Sequence, residues 1–436
     1  MSSSQAPRIA FTTLGCKVNQ SETDLYARQF ASAGFACVPF DAPADVYVVN
    51  TCTVTHVADR KSRQLLGQAR RANRDALIVA VGCYASIAGD ALADERTLVI
   101  RNRDKERMLG LVQGRLRHEA IDLPYFADRE KYVDTDSGYT RSRAMVKVQD
   151  GCDSHCAYCI IPRARGRSRS VRPDVIIQRV NALVREGHAE VVITGVDLGS
   201  YGDNEPALPD LGSLLRRILD ETDVGRIRVS SLEPGDFKES WLGLWDDKRL
   251  CRHLHAPLQA GSASVLARMG RSYTPEEYAA MVAACRAAVP DMTLATDVMT
   301  GFPGETVQEF EECLEFIQRM SFDGMHVFKY SKRSGTPAGR TSNQVAEETK
   351  NDRSRLLRDE ASSGVRRLLA RHHGTTREVA WEGEREGVRR GLTDTNVRVF
   401  ASSDRLPAGG LSRMRLIRGF RDGLWCEPEL GVRNSS

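Results

Sequence analysis

No apolar run in this chain approaches the ~20 residues needed to cross a bilayer. The longest, such as Val46–Val49 and Ala76–Val81, have the length of buried strands. Met1 to Arg8 is serine-rich and lacks the apolar core of a secretory signal, so a cytoplasmic protein with no membrane partner is expected. Charge of one sign is also scarce. The net charge is only +4, from 62 Lys and Arg against 58 Asp and Glu. The total therefore marks no nucleic-acid binder, and the placement of the charges has to be read instead. Internal repeats and low-complexity segments are missing too. What remains is an ordinary soluble composition, 41% hydrophobic and 28% charged, over 436 residues. At roughly 150 residues per domain, that length predicts two to four domains. Cysteine is plentiful, with eleven residues. In a reducing compartment thiols stay free, so clustered cysteines read first as metal ligands or catalysts and not as a disulfide framework.

The first ~125 residues alternate strand-like and helix-like patterns. Candidate strands are Ile9–Thr12, Val46–Val49, Leu77–Val81 and Leu98–Ile100, with helical segments at Glu22–Ala33 and Ala58–Ala72. This rhythm predicts a doubly wound parallel sheet, an α/β arrangement. The polar stretch Asp128–Arg143 reads as a linker. From Ala144 the alternation restarts. Candidate strands there are Ala144–Val148, Val191–Thr194, Ile227–Ser231, His255–Leu258, Leu294–Val298 and His326–Tyr330, with helices such as Val175–Glu186, Pro275–Ala287 and Val307–Arg319. These βα units predict a partial (β/α)6 barrel, because a complete barrel takes nearer ~250 residues. A charged helix, Glu347–Arg371, follows. Short alternating segments at Glu378–Trp381, Val397–Phe400, Met414–Ile417 and Leu424–Cys426 then predict a small antiparallel β-barrel of the kind that binds oligonucleotides.

The sharpest motif is Gly151-Cys152-Asp153-Ser154-His155-Cys156-Ala157-Tyr158-Cys159, a C-x3-C-x2-C run. Three thiolates this close can wrap one corner of a cubane, whereas a closed iron–sulfur site takes four cysteines. The next cysteine is Cys251, so one iron would stay open for an exogenous ligand. A structural zinc site would pair C-x2-C with a second ligand pair, and none is found. The run leaves a candidate first barrel strand, which predicts a place at the C-terminal face, where barrel active sites sit.

A second trio, Cys16, Cys52 and Cys83, closely follows three candidate strands of the first domain. The carboxyl ends of strands line the crevice of an open α/β sheet, so three cysteines placed there would converge. Cys37, Cys251, Cys285, Cys313 and Cys426 show no matching pattern and read as small buried hydrophobes.

The C-x3-C-x2-C run with an aromatic before its last cysteine resembles the radical S-adenosylmethionine (SAM) enzymes. Two three-cysteine clusters on one chain resemble their methylthiotransferase subfamily, over nearly the whole length. Further stretches that look like the family are 193–199, 230–234, 258–262, Asp297 with 301–305, and Tyr330-Ser331 with 335–337; Ala260 stands where the family often has serine. The resemblance implies a methylthiotransferase domain over 1–125 with an auxiliary cluster on Cys16, Cys52 and Cys83. It implies a radical SAM domain over 138–370 whose catalytic cluster sits on Cys152, Cys156 and Cys159, and a TRAM-like RNA-binding barrel over 374–436. The cofactors implied are two 4Fe–4S clusters and two SAM molecules per turnover, with Tyr158 packing near the SAM adenine. The open iron chelates SAM, and one electron from the reduced cluster yields the radical that takes a hydrogen from C2 of the substrate adenine. Sulfur from the auxiliary cluster then joins that carbon, and a second SAM methylates it. The electron donor is implied to be a protein such as flavodoxin or ferredoxin. Gly195, which permits close backbone approach, and Glu233, Gln259 and Asp297, which offer polar groups at barrel strand ends, are candidate SAM contacts.

Such enzymes modify a tRNA adenosine carrying an isopentenyl or a threonylcarbamoyl group, or an aspartate of a ribosomal protein. The runs 50–55, 58–64 and 391–400 look most like the threonylcarbamoyladenosine branch. Two basic stripes fit an RNA partner: Arg60, Lys61, Arg63, Arg70, Arg71 and Arg74, and then Arg163, Arg165, Arg167, Arg169 and Arg172. A non-catalytic iron–sulfur RNA sensor would need the same clusters and stripes but no SAM pocket.

Overall fold

The structure, a computed structural model, describes residues 6–117, 143–406 and 410–429. Apart from Arg143, the expected linker Asp128–Arg143 lies outside the described residues. The chain divides into two compact units. One holds the described residues of Met1–Thr140 together with Gln149–Arg169 and Ser331–Gly339. The other holds the described residues of Arg141–Val148 and Arg340–Ser436 together with Ser170–Tyr330.

The first unit is built on a five-stranded parallel sheet. Its strands are β1 (Arg8–Thr13), β2 (Ala36–Val38), β3 (Val46–Thr51), β4 (Leu77–Gly82) and β5 (Thr97–Ile100), in the order β2-β1-β3-β4-β5. Every residue of β3 and β4 is buried, as expected of strands covered on both faces. Helices α1 (Lys17–Ser32) and α4 (Met108–Arg117) put Tyr26, Phe30, Met108 and Val112 on one face, against Phe11, Val48 and Val79. Helix α2 (His56–Ala72) sets Leu66 and Ala69 on the other face, against Tyr47, Val49 and Ala80. The edge strand β2 was not expected, because three residues are too few to show a period. Strand order reverses between β1 and β3. That reversal opens a crevice at their carboxyl ends, where such sheets bind ligands.

The second unit carries parallel strands in two three-stranded sheets. The first pairs Arg143–Lys147, Glu190–Thr194 and Arg226–Val229; the second pairs His253–His255, Thr293–Thr300 and Gly324–Lys329. Leu232 N donates to His255 O at 2.9 Å between their facing edges. Helices Pro275–Ala288 and Val307–Met320 each begin with a capping box, Thr274 with Glu277 and Thr306 with Glu309. One expected strand, His255–Leu258, lies earlier, at His253–His255. The chain turns off at Pro257, and Gln259 takes a φ of +65°, which no strand accommodates.

Helix Glu347–His372 leads into a closed five-stranded barrel. Its strands are Thr376–Arg385, Val388–Thr393, Arg398–Ser402, Leu411–Phe420 and Gly423–Pro428. Trp381, Val399, Leu416 and Leu424 fill it, with Leu368 of the preceding helix. Its pairing is not wholly antiparallel: Arg398–Ser402 and Gly423–Pro428 run parallel and close the ring. The strand Val388–Thr393 escaped the sequence reading because Arg389-Arg390-Gly391 breaks the apolar alternation.

Glu190, fully buried, joins this barrel to the parallel sheets. It accepts from Arg226 Nε at 2.6 Å and Arg228 Nε at 2.9 Å. Those guanidiniums also donate to the carbonyls of Leu392 at 2.7 Å and Thr393 at 2.8 Å. The run 391–396, which looked family-specific, is thus a docking edge. Burial alone would raise the Glu190 pKa, but Arg228 and Arg226 outweigh it and hold it at about 2. A carboxyl depressed on folding contributes stability that is present above its unfolded pKa, 4.5, and is lost as pH falls toward 2. The contribution is about 3 kcal/mol at neutral pH. Melting curves of the apoprotein should show Glu190→Gln well below wild type at pH 6, with the gap narrowing as pH falls from 5 to 3. A constant gap would contradict the linkage.

Candidate functional site

The trio Cys16, Cys52 and Cys83 sits at the switch point. Cys16 follows β1 and starts α1, Cys52 follows β3, and Cys83 opens α3 (Cys83–Ala88) directly after β4. The loops touch: a Cβ on Gly15 would lie 2.9 Å from Cys52 Cβ and 3.2 Å from its Sγ. Ser62 of α2 clamps Cys52, accepting from its N–H at 3.2 Å and donating to its carbonyl at 2.9 Å. Gly82 has a φ of +97°, and a Cβ there would meet Thr51 O at 2.4 Å. Only glycine lets β4 turn into Cys83 so close to the residue before Cys52. Cys16 is exposed, while Cys52 and Cys83 are buried. Burial pushes the Cys52 thiol up to about 11, and it raises Cys83 against the lowering influence of Arg165.

The trio Cys152, Cys156 and Cys159 lies in the same unit. Gly151, with a φ of +76°, precedes Cys152; a Cβ on it would strike Arg167 O at 2.0 Å. Cys152 N donates to Gly166 O at 3.2 Å, closing the base of the loop. Backbone amides address two of the sulfurs: Ser154 N donates to Cys152 Sγ at 3.4 Å and Ile161 N to Cys159 Sγ at 3.5 Å. Ala338 N donates to Ala157 O at 2.9 Å, beside the half-buried Tyr158. Arg333 donates to Asp59 at 2.8 Å and Thr53 at 2.6 Å, so the run 331–339 also braces the residues just after Cys52.

Each trio offers three free cysteine thiols, the donor type that an iron–sulfur cube takes. A single tetrahedral zinc holds its thiolates about 2.3 Å from the metal and so roughly 3.8 Å apart. Among the described residues, only His255, Asp297 and His326 bring three candidate ligand atoms within 4.8 Å of one another. Neither trio is gathered that tightly, which speaks against a single zinc held by all three sulfurs.

Below the cysteines lies a buried ionic group. Arg165 Nη1 reaches Asp150 Oδ1 at 2.7 Å and Glu22 Oε1 at 3.0 Å. Lys105 Nζ bridges Glu22, at 2.5 Å, and Asp150. Arg165 Nη2 donates to Asn19 Oδ1 at 2.5 Å, and Nε donates to Cys83 Sγ at 3.2 Å. Arg165 is therefore no phosphate contact, and the second basic stripe loses its second member to the interior. Arg163, Arg167, Arg169 and Arg172 remain exposed, as does the whole first stripe.

Of the candidate SAM contacts, Tyr158 lies in the first unit, and Gly195, Glu233, Gln259 and Asp297 lie in the second. Gly195 directly follows the strand Glu190–Thr194. Glu233 does not end a strand; it caps the turn Pro234–Asp236 and is ion-paired with Arg271. Asp297 also does not end its strand. It lies mid-strand in Thr293–Thr300, because that strand runs two residues beyond the expected Val298. Gln259 N donates to Asp297 O at 2.9 Å, and the buried Gln259 Oε1 has no partner among the described residues. An orphaned buried acceptor costs stability unless a ligand donates to it. Asp297 Oδ1 lies 3.0 Å from His255 Nε2, and His255 Nδ1 lies 2.9 Å from Ser231 Oγ. His255 and His326 were not singled out in the sequence. Their signal was faint: each is a histidine inside an apolar strand run.

Residues 146–317 match the radical SAM superfamily, and residues 8–100 match a family described as uncharacterized protein family UPF0004. The chain is similar to threonylcarbamoyladenosine tRNA methylthiotransferase MtaB of Bacillus subtilis (strain 168), with 38% identity over 87% of this chain and 83% of that protein. It is also similar to tRNA-2-methylthio-N(6)-dimethylallyladenosine synthase of Geobacillus kaustophilus (strain HTA426), with 33% identity over 85% of this chain and 72% of that protein. The radical SAM methyltransferase TsrM from Kitasatospora setae shares the fold, with a TM-score of 0.57 at 14% identity over 77% of each chain.

Proposed function

The chain belongs to the radical SAM tRNA methylthiotransferases, and from that membership we propose that it adds a methylthio group to C2 of N6-threonylcarbamoyladenosine next to the tRNA anticodon. The observation that carries this reading is the pair of cysteine trios in one unit, one of them at the switch point of a parallel sheet. In this reading Cys152, Cys156 and Cys159 hold the cluster that cleaves SAM, and Cys16, Cys52 and Cys83 hold the auxiliary one. An aromatic C–H is too strong for side-chain acid–base chemistry, so the clusters and SAM supply the radical and the sulfur.

The chain's own residues bind and orient. The Ser154 and Ile161 amides donate to cluster-loop sulfurs, spreading the negative charge they carry as ligands. Tyr158, Gly195, Glu233, Gln259 and Asp297 are assigned to SAM, with the Gln259 carbonyl offered to one of its donors. His255 holds Asp297 in place and is itself held by Ser231.

For the tRNA, the exposed Arg60, Lys61, Arg63, Arg71 and Arg74 neutralise phosphates. The C-terminal barrel, assigned here as a TRAM-like RNA-binding module, presents Arg418 and Arg421 beside the half-buried rings of Phe420 and Trp425, a surface suited to stacked bases. A tRNA substrate is consistent with a reaction in the cytoplasm, fed by an electron donor such as flavodoxin or ferredoxin. The threonylcarbamoyl branch is favoured by the 38% identity to its relative, against 33% for the dimethylallyl one. Mass spectrometry of tRNA nucleosides from a deletion strain decides. The 2-methylthio form of threonylcarbamoyladenosine should vanish and return with the gene. Loss of the isopentenyl counterpart alone would move the chain to the other branch, and unchanged nucleosides would overturn the reading.

A further inference from the structure

We propose that Arg165 is a positioning residue of the auxiliary cluster that raises the cluster's reduction potential through its Nε–H donation to Cys83 Sγ. This rests on the assignment of Cys83 as a ligand. The side chain is 1% exposed and lies in the same unit as all six cysteines, six residues after Cys159 in the chain. Its helix Ile161–Arg165 is a single short turn leaving the cluster loop, so the guanidinium arrives from the radical SAM motif and ends on the other trio.

The guanidinium uses its whole fork. Nη1 reaches Asp150 and Glu22, Nη2 reaches Asn19 and Glu22, and Nε is left for the sulfur at 3.2 Å. Two of the anchors lead to a cysteine. Asp150 is two residues before Cys152. Asn19 is three after Cys16, and its Oδ1 lies 3.8 Å from Cys16 Sγ. Lys105 shares the carboxylates Glu22 and Asp150 with Arg165, and Arg169 lies 3.9 Å from Asp150. Both carboxylates are already met by these cations, and the Nε–H of Arg165 is directed at sulfur instead of at a further carboxylate. Asn102 Nδ2 adds a second, longer contact to Cys83 Sγ at 3.8 Å.

The electrostatic consequence has a definite sign. Reduction adds one electron to a cluster that thiolates already make negative. A buried cation and an N–H donor at a ligand sulfur stabilise that added charge, so the potential rises. A lysine at 165 keeps the positive charge for Glu22 and Asp150 but has no planar fork to reach sulfur as well. Arg165→Lys should therefore fold and load iron while losing the donation to Cys83.

The test uses the full-length, anaerobically reconstituted chain carrying Cys156→Ala, so that only the auxiliary cluster gives a signal. Dithionite supplies the single electron of each reduction, followed by electron paramagnetic resonance during a potentiometric titration. At the potential where the parent is half reduced, Arg165→Lys should show a ratio of reduced to oxidised cluster about tenfold lower, equivalent to 59 mV for a one-electron couple. A midpoint equal to the parent's, at equal iron content, overturns the proposal. A parent that binds no cluster brings down the ligand assignment and the proposal with it. Should the lysine variant fail to fold, the unsubstituted Arg165 still answers. Protein labelled with 15N-arginine should show a 15N coupling in pulsed spectra of the reduced auxiliary cluster, and absence of that coupling overturns the proposal.

Discussion

Cys52→Ala should leave SAM cleavage at its wild-type order and abolish methylthiolation, whereas Cys156→Ala should abolish both. The reason lies in how the trios are held. Cys52 is fixed by β3, by Ser62 of α2 and by the neighbouring Gly15. Cys156 belongs to a loop closed on itself through Gly166 and supplied with its own amide donors. Removing one thiolate of three from a site that already lacks a fourth leaves too few ligands for a stable cube. A loss of at least ~1,000-fold in product formation is expected, about 4 kcal/mol in barrier terms. The readouts are 5′-deoxyadenosine by chromatography and methylthiolated nucleoside by mass spectrometry in one reaction. Methylthiolation by Cys52→Ala at the wild-type rate would end the two-cluster assignment.

The second large effect comes from a residue with no functional group. Gly82→Ala should reduce the iron content of reconstituted protein from about eight to about four per chain, one cube's worth. The new Cβ would lie 2.4 Å from Thr51 O, 2.5 Å from Asn50 Oδ1 and 2.8 Å from Thr51 N, at a backbone conformation reserved for glycine. Strain and overpacking together cost roughly 2–5 kcal/mol. Relief requires Thr51 or Gly82 to move, and each precedes a cysteine of the trio. Gly34 is the matched control. It has a φ of +88° with nothing within 4 Å of its Cβ position, so Gly34→Ala meets only the conformational cost, about 1 kcal/mol, and should keep both cubes. Iron analysis of the two variants separates a steric effect at the cysteines from a general loss of stability. Equal iron in both would refute the steric account.

Local pattern made much of this protein legible. The N-terminal sheet followed from short apolar runs between amphipathic helices. The placement of Cys16, Cys52 and Cys83 after three such runs already predicted convergence, because parallel strands end on one edge. The C-x3-C-x2-C motif needed no fold to be recognised. The reading failed where burial or a distant partner decides. Arg165 looks like its neighbours Arg163 and Arg167 in a row of basic residues. Only the approach of Glu22, Asp150 and Cys83 from far along the chain turns it inward. Glu233 and Asp297 were placed at strand ends, and in the structure one caps a turn and the other sits mid-strand.

The amino-acid sequence by itself determined which thiols could group, the alternation that builds parallel sheets, and the family. Each of these depends on residues near one another in the chain, or on the ends of elements whose period is readable. Tertiary structure alone decided which arginine faces sulfur instead of phosphate, that run 391–396 is an edge docked on Arg226 and Arg228, and that His255 and Asp297 act as a pair. Those outcomes depend on desolvation and on contacts between residues far apart in the chain, which composition and period do not carry.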